Sequence, residues 1–352
     1  MMRHCKRIFG MKKLLLFLIC YILSTSGFTQ AKPAYTQYVL NNYILNPALA
    51  GIENYTDIKA SFRNQWTGIN GAPVTSYLSL QAPIGKSDYR TSATSFAVPG
   101  ENPRGKQFWQ DYTAPEPHHG IGFYALNDKA GYINRWNVAA SYAYHRPLGV
   151  KTTLAAGFSA GASGINLDAT KATFSDPNND PAIGVANGEL KKIKPEIGAG
   201  LWLYSARYFA GISVLNIVPG KAKFTSNDRY GTYYTPNYFA TAGYRFSVGE
   251  DFTLIPSVML QYWQPQLLGA HINTKLQYRD KAWVGGSYRY SDFIAGYSAL
   301  AGFNLSNTLN VSYSYEVATT SRLRTYTGNT HELMIGFTLG NKYSDACPRN
   351  VF

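Results

Sequence analysis

The sequence predicts an all-β fold, a transmembrane antiparallel β-barrel of about fourteen strands, and three observations carry that reading. Tyrosine, phenylalanine and glycine are abundant, at 28, 18 and 32 of 352 residues, as a large all-β unit favours. Charged residues make up only 15 %, too few for a fully wetted surface, while the mean hydropathy is slightly negative, too polar for a bundle of membrane helices. Both are reconciled if each strand shows lipid only every second side chain. The third observation is that apolar and polar residues alternate in short segments that recur along the chain.

Residues 11–31, MKKLLLFLICYILSTSGFTQA, carry Lys12 and Lys13, an apolar run from Leu14 to Leu23, and then small and polar residues. This reads as a signal peptide over residues 1–30, with Met11 as an alternative start and cleavage between Ser26 and Ala31. The apolar run falls short of the roughly 20 residues that a spanning helix needs. Cys20 follows Ile19, where a lipoprotein leader has a small residue. Of the formal charge of +13, Arg3, Lys6, Arg7, Lys12 and Lys13 belong to the leader, which leaves about +8. That charge is spread out with no Lys/Arg block, so no nucleic acid is expected as a partner; contact with outer-membrane lipid and anionic lipopolysaccharide, or with acidic partners, is compatible with it. Cys5 and Cys20 also lie in the leader, and Cys347 alone cannot form an internal disulfide.

Residues 31–55 form an N-terminal segment expected on the periplasmic side. Within it, Asn46-Pro47-Ala48-Leu49-Ala50-Gly51 predicts one helical turn, with Asn46 as N-cap, Pro47 at the first position and Gly51 closing it. Such a turn can plug the mouth of the barrel or simply lead into it.

The barrel is expected over 56–339. In 56–66, Ile58, Ala60, Phe62 and Trp66 alternate with Asp57, Lys59, Ser61, Arg63 and Gln65. The same rule holds in 74–82, 136–144, 154–162, 272–278 and 309–317; in the last, Leu309, Val311, Tyr313, Tyr315 and Val317 oppose Asn310, Ser312, Ser314 and Glu316. Less regular candidates lie near 121–127, 196–204, 208–215, 238–246, 252–262, 282–290, 294–303 and 332–339. Each approaches the about 9–11 residues of a tilted membrane strand. Trp66, Tyr142, Tyr144, Tyr244, Tyr262, Tyr278 and Tyr315 sit toward strand ends, where amphipathic rings suit the headgroup boundary.

With the N-terminus periplasmic, connections 146–152, 205–207, 248–251, 279–281 and 304–308 are tight inner turns, whereas 163–195, 216–237, 263–271 and 318–330 are outer loops rich in Gly, Pro, Asn and Asp. Residues 85–118 break the pattern: they fall on the periplasmic side yet are long and bear Pro99, Pro103, Pro115 and Pro117, which reads as a flexible or partner-ordered insertion. A tail follows at 340–352.

Motifs that could carry chemistry have plainer readings. Gly157-Phe158-Ser159-Ala160-Gly161 matches G-x-S-x-G, but a nucleophile elbow needs a strand-to-helix turn and this match lies inside an alternating strand. Small residues packing inside a barrel account for it, and a hydrolase would also need a base such as His145 beside Ser159. Asp176, Asn178 and Asp180 copy the opening of an EF-hand loop, but Pro181 replaces the glycine and Asn187 the bidentate glutamate. His118 and His119 are adjacent without a spaced third ligand. No catalytic residue, cofactor or metal is therefore expected, and the chain reads as a non-enzyme.

Several segments resemble the PorP/SprF family of outer-membrane proteins of the Bacteroidota type IX secretion and gliding-motility system. They are QYVLNNYILNPALAG (37–51), with Asn46, Pro47 and Gly51, and FRNQWTGINGAP (62–73), with Arg63, Asn64, Gln65, Trp66, Gly71, Ala72 and Pro73. Further matches are Asn127-Asp128-Lys129-Ala130-Gly131 after the third strand, Tyr144 to Leu148 closing the fourth, Asp180-Pro181-Ala182, Gly328 to Glu332, and Cys347-Pro348-Arg349 in the tail. The 86–118 insertion and the ending Asn350-Val351-Phe352 depart from the family pattern.

The resemblance implies a cell outer-membrane location and a role in exporting, or holding at the surface, client proteins with a type IX C-terminal sorting domain, the gliding-adhesin class in particular. Other type IX components are further implied partners. The signature residues are implied to be structural or partner contacts. The alternative is a diffusion channel, suggested by Lys59, Arg63, Asn273, Lys275, Gln277 and Glu316 on the lumen face. Because both signs are present, a plugged and internally paired interior fits those charges better than an open pore.

Overall fold

The computed structural model describes residues 37–86, 112–168, 189–223, 231–249, 251–263, 267–279, 281–291, 295–306, 308–319 and 328–340. In chain order its strands are β1 (Thr56–Asn64), β2 (Val74–Ile84), β3 (His118–Ala130), β4 (Ile133–Gly149), β5 (Thr152–Asp168), β6 (Glu189–Tyr204), β7 (Tyr208–Leu215), β8 (Gly220–Lys223), β9 (Gly231–Tyr234), β10 (Asn237–Tyr244), β11 (Phe246–Val248), β12 (Phe252–Trp263), β13 (Leu267–Tyr278), β14 (Ala282–Ser291), β15 (Gly296–Asn304), β16 (Leu309–Ala318) and β17 (Thr330–Leu339). β8 and β9 pair with each other as a separate two-stranded sheet.

The rest close on themselves. β1 pairs with β17 at one seam, and β10 pairs with both β7 and β12 at the point where β8 and β9 leave the wall. β11 continues the line of β10 beyond Arg245: Gly243 faces Ser257 and Phe246 faces Leu254 in one register along β12. The wall is therefore a closed antiparallel barrel of fourteen staves, as the alternation predicts. No helix among the described residues is long and apolar enough to cross a membrane.

Dyad alternation sorts the side chains to two faces. On β1, Asp57, Lys59, Ser61 and Arg63 are buried while Phe62 is 52 % exposed; on β2, Thr75, Tyr77, Ser79 and Gln81 are buried while Leu78 is exposed. Phe123, Phe158, Ile272, Val284 and Phe337 continue the exposed apolar band around the barrel. Aromatic pairs flank it at both rims. At the rim where β1 begins, here the lower rim, Tyr244 meets Phe246 at 4.7 Å and Phe252 meets Tyr278 at 5.1 Å. At the upper rim Tyr238 meets Tyr262 at 6.1 Å and Tyr288 meets Tyr297 at 4.7 Å.

Several boundaries differ from the sequence reading. β5 and β6 continue to Asp168 and back from Glu189, so much of the expected 163–195 loop is paired backbone. The hydrocarbon face ends before the hydrogen-bonded ladder does, and beyond it polar residues such as Asn166, Lys191 and Lys192 erase the period that marks a strand. Asn127 and Asp128, placed after the third strand by sequence, lie within β3 for the same reason. β1 stops at Asn64, and Trp66, counted as its last apolar residue, has a positive φ of 57°. Most of the 85–118 insertion lies outside the described residues; of its end, Tyr112 is buried against Ala206 at the lower rim.

The N-terminal segment, for which sequence leaves open a plug or a simple lead-in, lies inside the barrel: across residues 37–55 the side chains are buried almost without exception. Three consecutive 3-10 turns, at Tyr38–Leu40, Asn42–Ile44 and Pro47–Leu49, coil them into a plug. Its apolar residues build three clusters with inward residues of the wall: Ala48 and Leu49 with Ala139, Ala143 and Trp202; Ile44 and Leu45 with Leu215, Phe239 and Met259; Val39 and Leu40 with Trp283, Leu300 and Met334. The interior is thus partly apolar, which a purely polar lumen face does not anticipate.

Candidate functional site in the plugged lumen

The last plug turn is built as its sequence suggests. Asn46 has extended backbone, its Oδ1 accepts from Ala48 N at 3.0 Å, and Pro47 occupies the first position, where a missing N–H costs nothing. Gly51 leaves the turn at a φ of +72°. Of the two placements open to this turn, the structure takes the plug: Asn46 Nδ2 donates to the Leu201 carbonyl at 3.0 Å and the Ile212 carbonyl at 3.2 Å, on β6 and β7.

Wall and plug approach so closely that side chains are missing where they meet. A β-carbon on Gly120 would stand 1.9 Å from the Ala50 carbonyl oxygen, and one on Gly157 would stand 2.6 Å from Ala48 N. Gly157 opens the G-x-S-x-G match, so the match marks a surface on which the plug rests. Ser159 is 1 % exposed, and both ring nitrogens of His145 are held elsewhere. His145 Nε2 donates to the Ala50 carbonyl at 2.8 Å, so Nδ1 accepts from Tyr204 Oη at 3.1 Å. His118 stacks on His145 at 4.4 Å and 5°, a geometry that sends their nitrogens to different neighbours rather than to one ion.

Polar contacts tie the plug to the wall in many directions. Asn41 Nδ2 donates to Ser79 Oγ at 2.8 Å, Tyr43 Oη shares a hydrogen bond with Ser141 Oγ at 2.7 Å, Ser213 Oγ donates to the Leu45 carbonyl at 2.6 Å, and Asn273 Nδ2 donates to Tyr38 Oη. Lys86 Nζ donates to the Ile52 carbonyl at 2.8 Å at the lower rim. Burial pushes the Tyr38 and Tyr43 phenols well above their ordinary range, so both stay protonated at any physiological pH.

The charged part of the lumen is paired. Arg63 Nη2 lies 3.3 Å from Glu316 Oε2 and Arg63 Nη1 lies 4.0 Å from Glu332 Oε2, while Arg289 pairs with Glu316. Ser61 Oγ donates to Glu332 at 3.0 Å. The start of the plug joins this group: Gln37 N donates to the Glu332 carboxylate at 3.3 Å, Gln37 Nε2 donates to the Glu332 backbone carbonyl at 2.7 Å, and Ser312 Oγ donates to Gln37 Oε1. Lower down, Lys59 pairs with Asp57, which also accepts from Gln81 Nε2 at 3.2 Å. A charge buried this deeply persists only with a partner, so the two arginines and two glutamates depend on one another.

The signature residues separate into two groups. Asn46, Pro47 and Gly51 are in the plug. Arg63, Asn64, Gln65, Trp66, Gly71, Pro73, Asn127 and Asp128 gather at the upper rim, where the 65–73 connection is stitched to both neighbours. Gln65 N donates to the Pro73 carbonyl at 2.9 Å, Thr67 N to the Asn329 carbonyl at 3.0 Å, and Gly131 N to the Gly71 carbonyl at 2.8 Å. Asp128 accepts from Thr75 Oγ1 at 2.7 Å and lies 3.8 Å from Arg135. Cys347, Pro348 and Arg349 lie outside the described residues, as does the Asp176–Asp180 loop motif. Gln37, Tyr38 and Glu332 lie in segments that carry the family resemblance but have no role assigned by it, and Arg289 lies in no such segment; inward parity flags Arg289 and Glu332, whereas no local pattern places Gln37 or Tyr38 in the lumen.

Compared with known proteins, residues 27–337 match a family model described as type IX secretion system membrane protein PorP/SprF. No curated protein matches the chain in sequence. Among solved structures it is similar to the outer membrane protein Omp33 of Acinetobacter baumannii, with 9 % identity, a TM-score of 0.46, and 82 % of this chain and 100 % of that chain covered. It is also similar to the toluene transporter TbuX of Ralstonia pickettii, with 12 % identity, a TM-score of 0.48, and 89 % and 95 % covered. The toluene transporter TodX of Pseudomonas putida gives 10 % identity, a TM-score of 0.44, and 89 % and 95 % covered.

Proposed function

Because this chain belongs to the PorP/SprF family of type IX secretion system membrane proteins, we propose that it is an outer-membrane barrel that helps export client proteins or anchors them at the cell surface through their C-terminal sorting domain. The clients would be large surface proteins of the gliding-adhesin type. The family match across residues 27–337 carries this reading. The lumen supports it over a diffusion channel, since the plug and the paired charges occupy the space that a solute would need.

A plugged barrel works from its rims. Apart from residues 189–196 of β6, which pair only with β5, the described wall strands are largely paired on both sides and offer a client little edge to extend. The β8–β9 hairpin, by contrast, lies in the connection between the upper ends of β7 and β10 and is not part of the wall sheet, so its edges suit main-chain pairing with an incoming strand. Elsewhere on the same rim, the stitched 65–73 connection offers the exposed Ile69 on a backbone held by neighbours on both sides.

The test is to delete the gene and compare cell-surface proteomes, followed by affinity isolation of the tagged barrel from native outer membrane with mass spectrometry. One or a few large surface proteins should be lost or shed, and the same proteins should co-purify with the barrel. An unchanged surface proteome would overturn the proposal.

A further inference from the structure

Above the plug, in the upper half of the lumen, the packing leaves a cavity of about 90 Å³. Ile44 and Leu45 of the plug form its floor; Ile165, Leu215, Phe239 and Met259 line its wall together with the polar Arg135, Glu196, Asn216, Gln261 and His271. Its apolar side is the larger part of the lining, and the space is on the order of one small ring.

Two polar groups in the same lining lack a partner. Asn137 Nδ2 donates to Glu196 Oε2, which fixes the orientation of the amide and leaves Oδ1 as an acceptor facing elsewhere; among the described residues it meets no donor. Ser163 Oγ, on a residue only 7 % exposed, is likewise without a hydrogen bond among them. Both residues line the cavity. Glu196 itself is occupied, since Tyr124 Oη donates to its Oε1 at 3.1 Å. Buried polar atoms in native folds almost always find partners, so an orphan acceptor beside this chamber has room for a donor from outside the chain.

We infer that this chamber is a binding site for a compact apolar molecule that carries one O–H or N–H donor, of the phenol or indole class. Its ring packs against Leu215, Phe239 and Met259, and its donor goes to Asn137 Oδ1 with Ser163 Oγ beside it. The inference rests on the chamber alone and stands or falls independently of the secretion role.

The experiment uses the full mature barrel in detergent with two fluorine-bearing probes of nearly the same shape, 4-fluorophenol and 4-fluoroanisole, followed by fluorine NMR. The phenol should show saturable binding, and the anisole, which has no donor, should bind about tenfold more weakly. Leu215→Trp fills the chamber and should remove the saturable phase; Asn137→Leu should bring the two probes to equal affinity. Folding of each variant is checked by its heat-dependent gel mobility. Equal binding of the two probes to the wild-type barrel, which needs no variant, would overturn the inference. So would the same response from folded Leu215→Trp, since that is partitioning into detergent.

Discussion

The Ala50 carbonyl oxygen lies 1.9 Å from the point at which a β-carbon on Gly120 would stand, so plug and wall meet there backbone to backbone. Gly120→Val cannot be accommodated without moving one of them. It should lower stability by about 1–3 kcal/mol or more, measured as the heating midpoint of the gel-mobility shift. Gly149→Ala, at a lower-rim glycine with no atom within 4 Å of the added carbon, is the matched control and should change little.

Arg63 is 2 % exposed between Glu316 and Glu332. Arg63→Met leaves buried carboxylates short of positive charge and should cost about 3–5 kcal/mol in denaturant unfolding. Adding Glu332→Gln should recover part of that loss, because the uncompensated charge goes with it. A double variant as unstable as the two losses summed would show that the residues act separately.

In planar bilayers the intact barrel should show no stable conductance. Removing residues 38–50 takes away the plug and the apolar clusters it fills, and the deleted barrel should open to steady current. Steady openings in the intact protein would contradict a filled lumen.

Phe158 is 55 % exposed within β5, on the face opposite to the buried Ser159. Phe158→Arg places a cation in hydrocarbon and should cost about 2–4 kcal/mol of folding stability in lipid. Leu148→Arg, near the lower end of β4, should cost about 0–1 kcal/mol. Similar losses at both positions would argue against a hydrocarbon band that covers Phe158 and ends before Leu148.

Ser159 Oγ has no hydrogen-bond partner among the described residues, so Ser159→Ala removes an unsatisfied hydroxyl. Stability should stay within about 1 kcal/mol of wild type or rise slightly, and turnover of a chromogenic ester, if any is measured, should be unaffected. A loss of ester turnover would revive the hydrolase reading that the engagement of His145 by Ala50 and Tyr204 opposes.

How far the sequence could be read follows from the range of each signal. Alternation on 309–317 is a property of neighbouring residues, so it placed β16 and its inward Asn310, Ser312, Ser314 and Glu316 without knowledge of any partner. It failed at Asn127, Asp128 and 163–168, where strands run past the lipid and both faces turn polar. The turn at Asn46–Gly51 was legible because its cap and its glycine are local, but its place inside the barrel was not.

What the sequence by itself determined is therefore the fourteen-stave barrel and which side chains face outward or into the lumen, because each depends on residues one or two positions apart. Tertiary structure alone decided that Gln37 meets Glu332, 295 positions away, that Tyr38 meets Asn273, and that residues 37–55 lie inside the lumen. Those contacts depend on strand register, on closure of β1 against β17, and on the volume left inside once every inward side chain is in place, none of which is encoded in a local period.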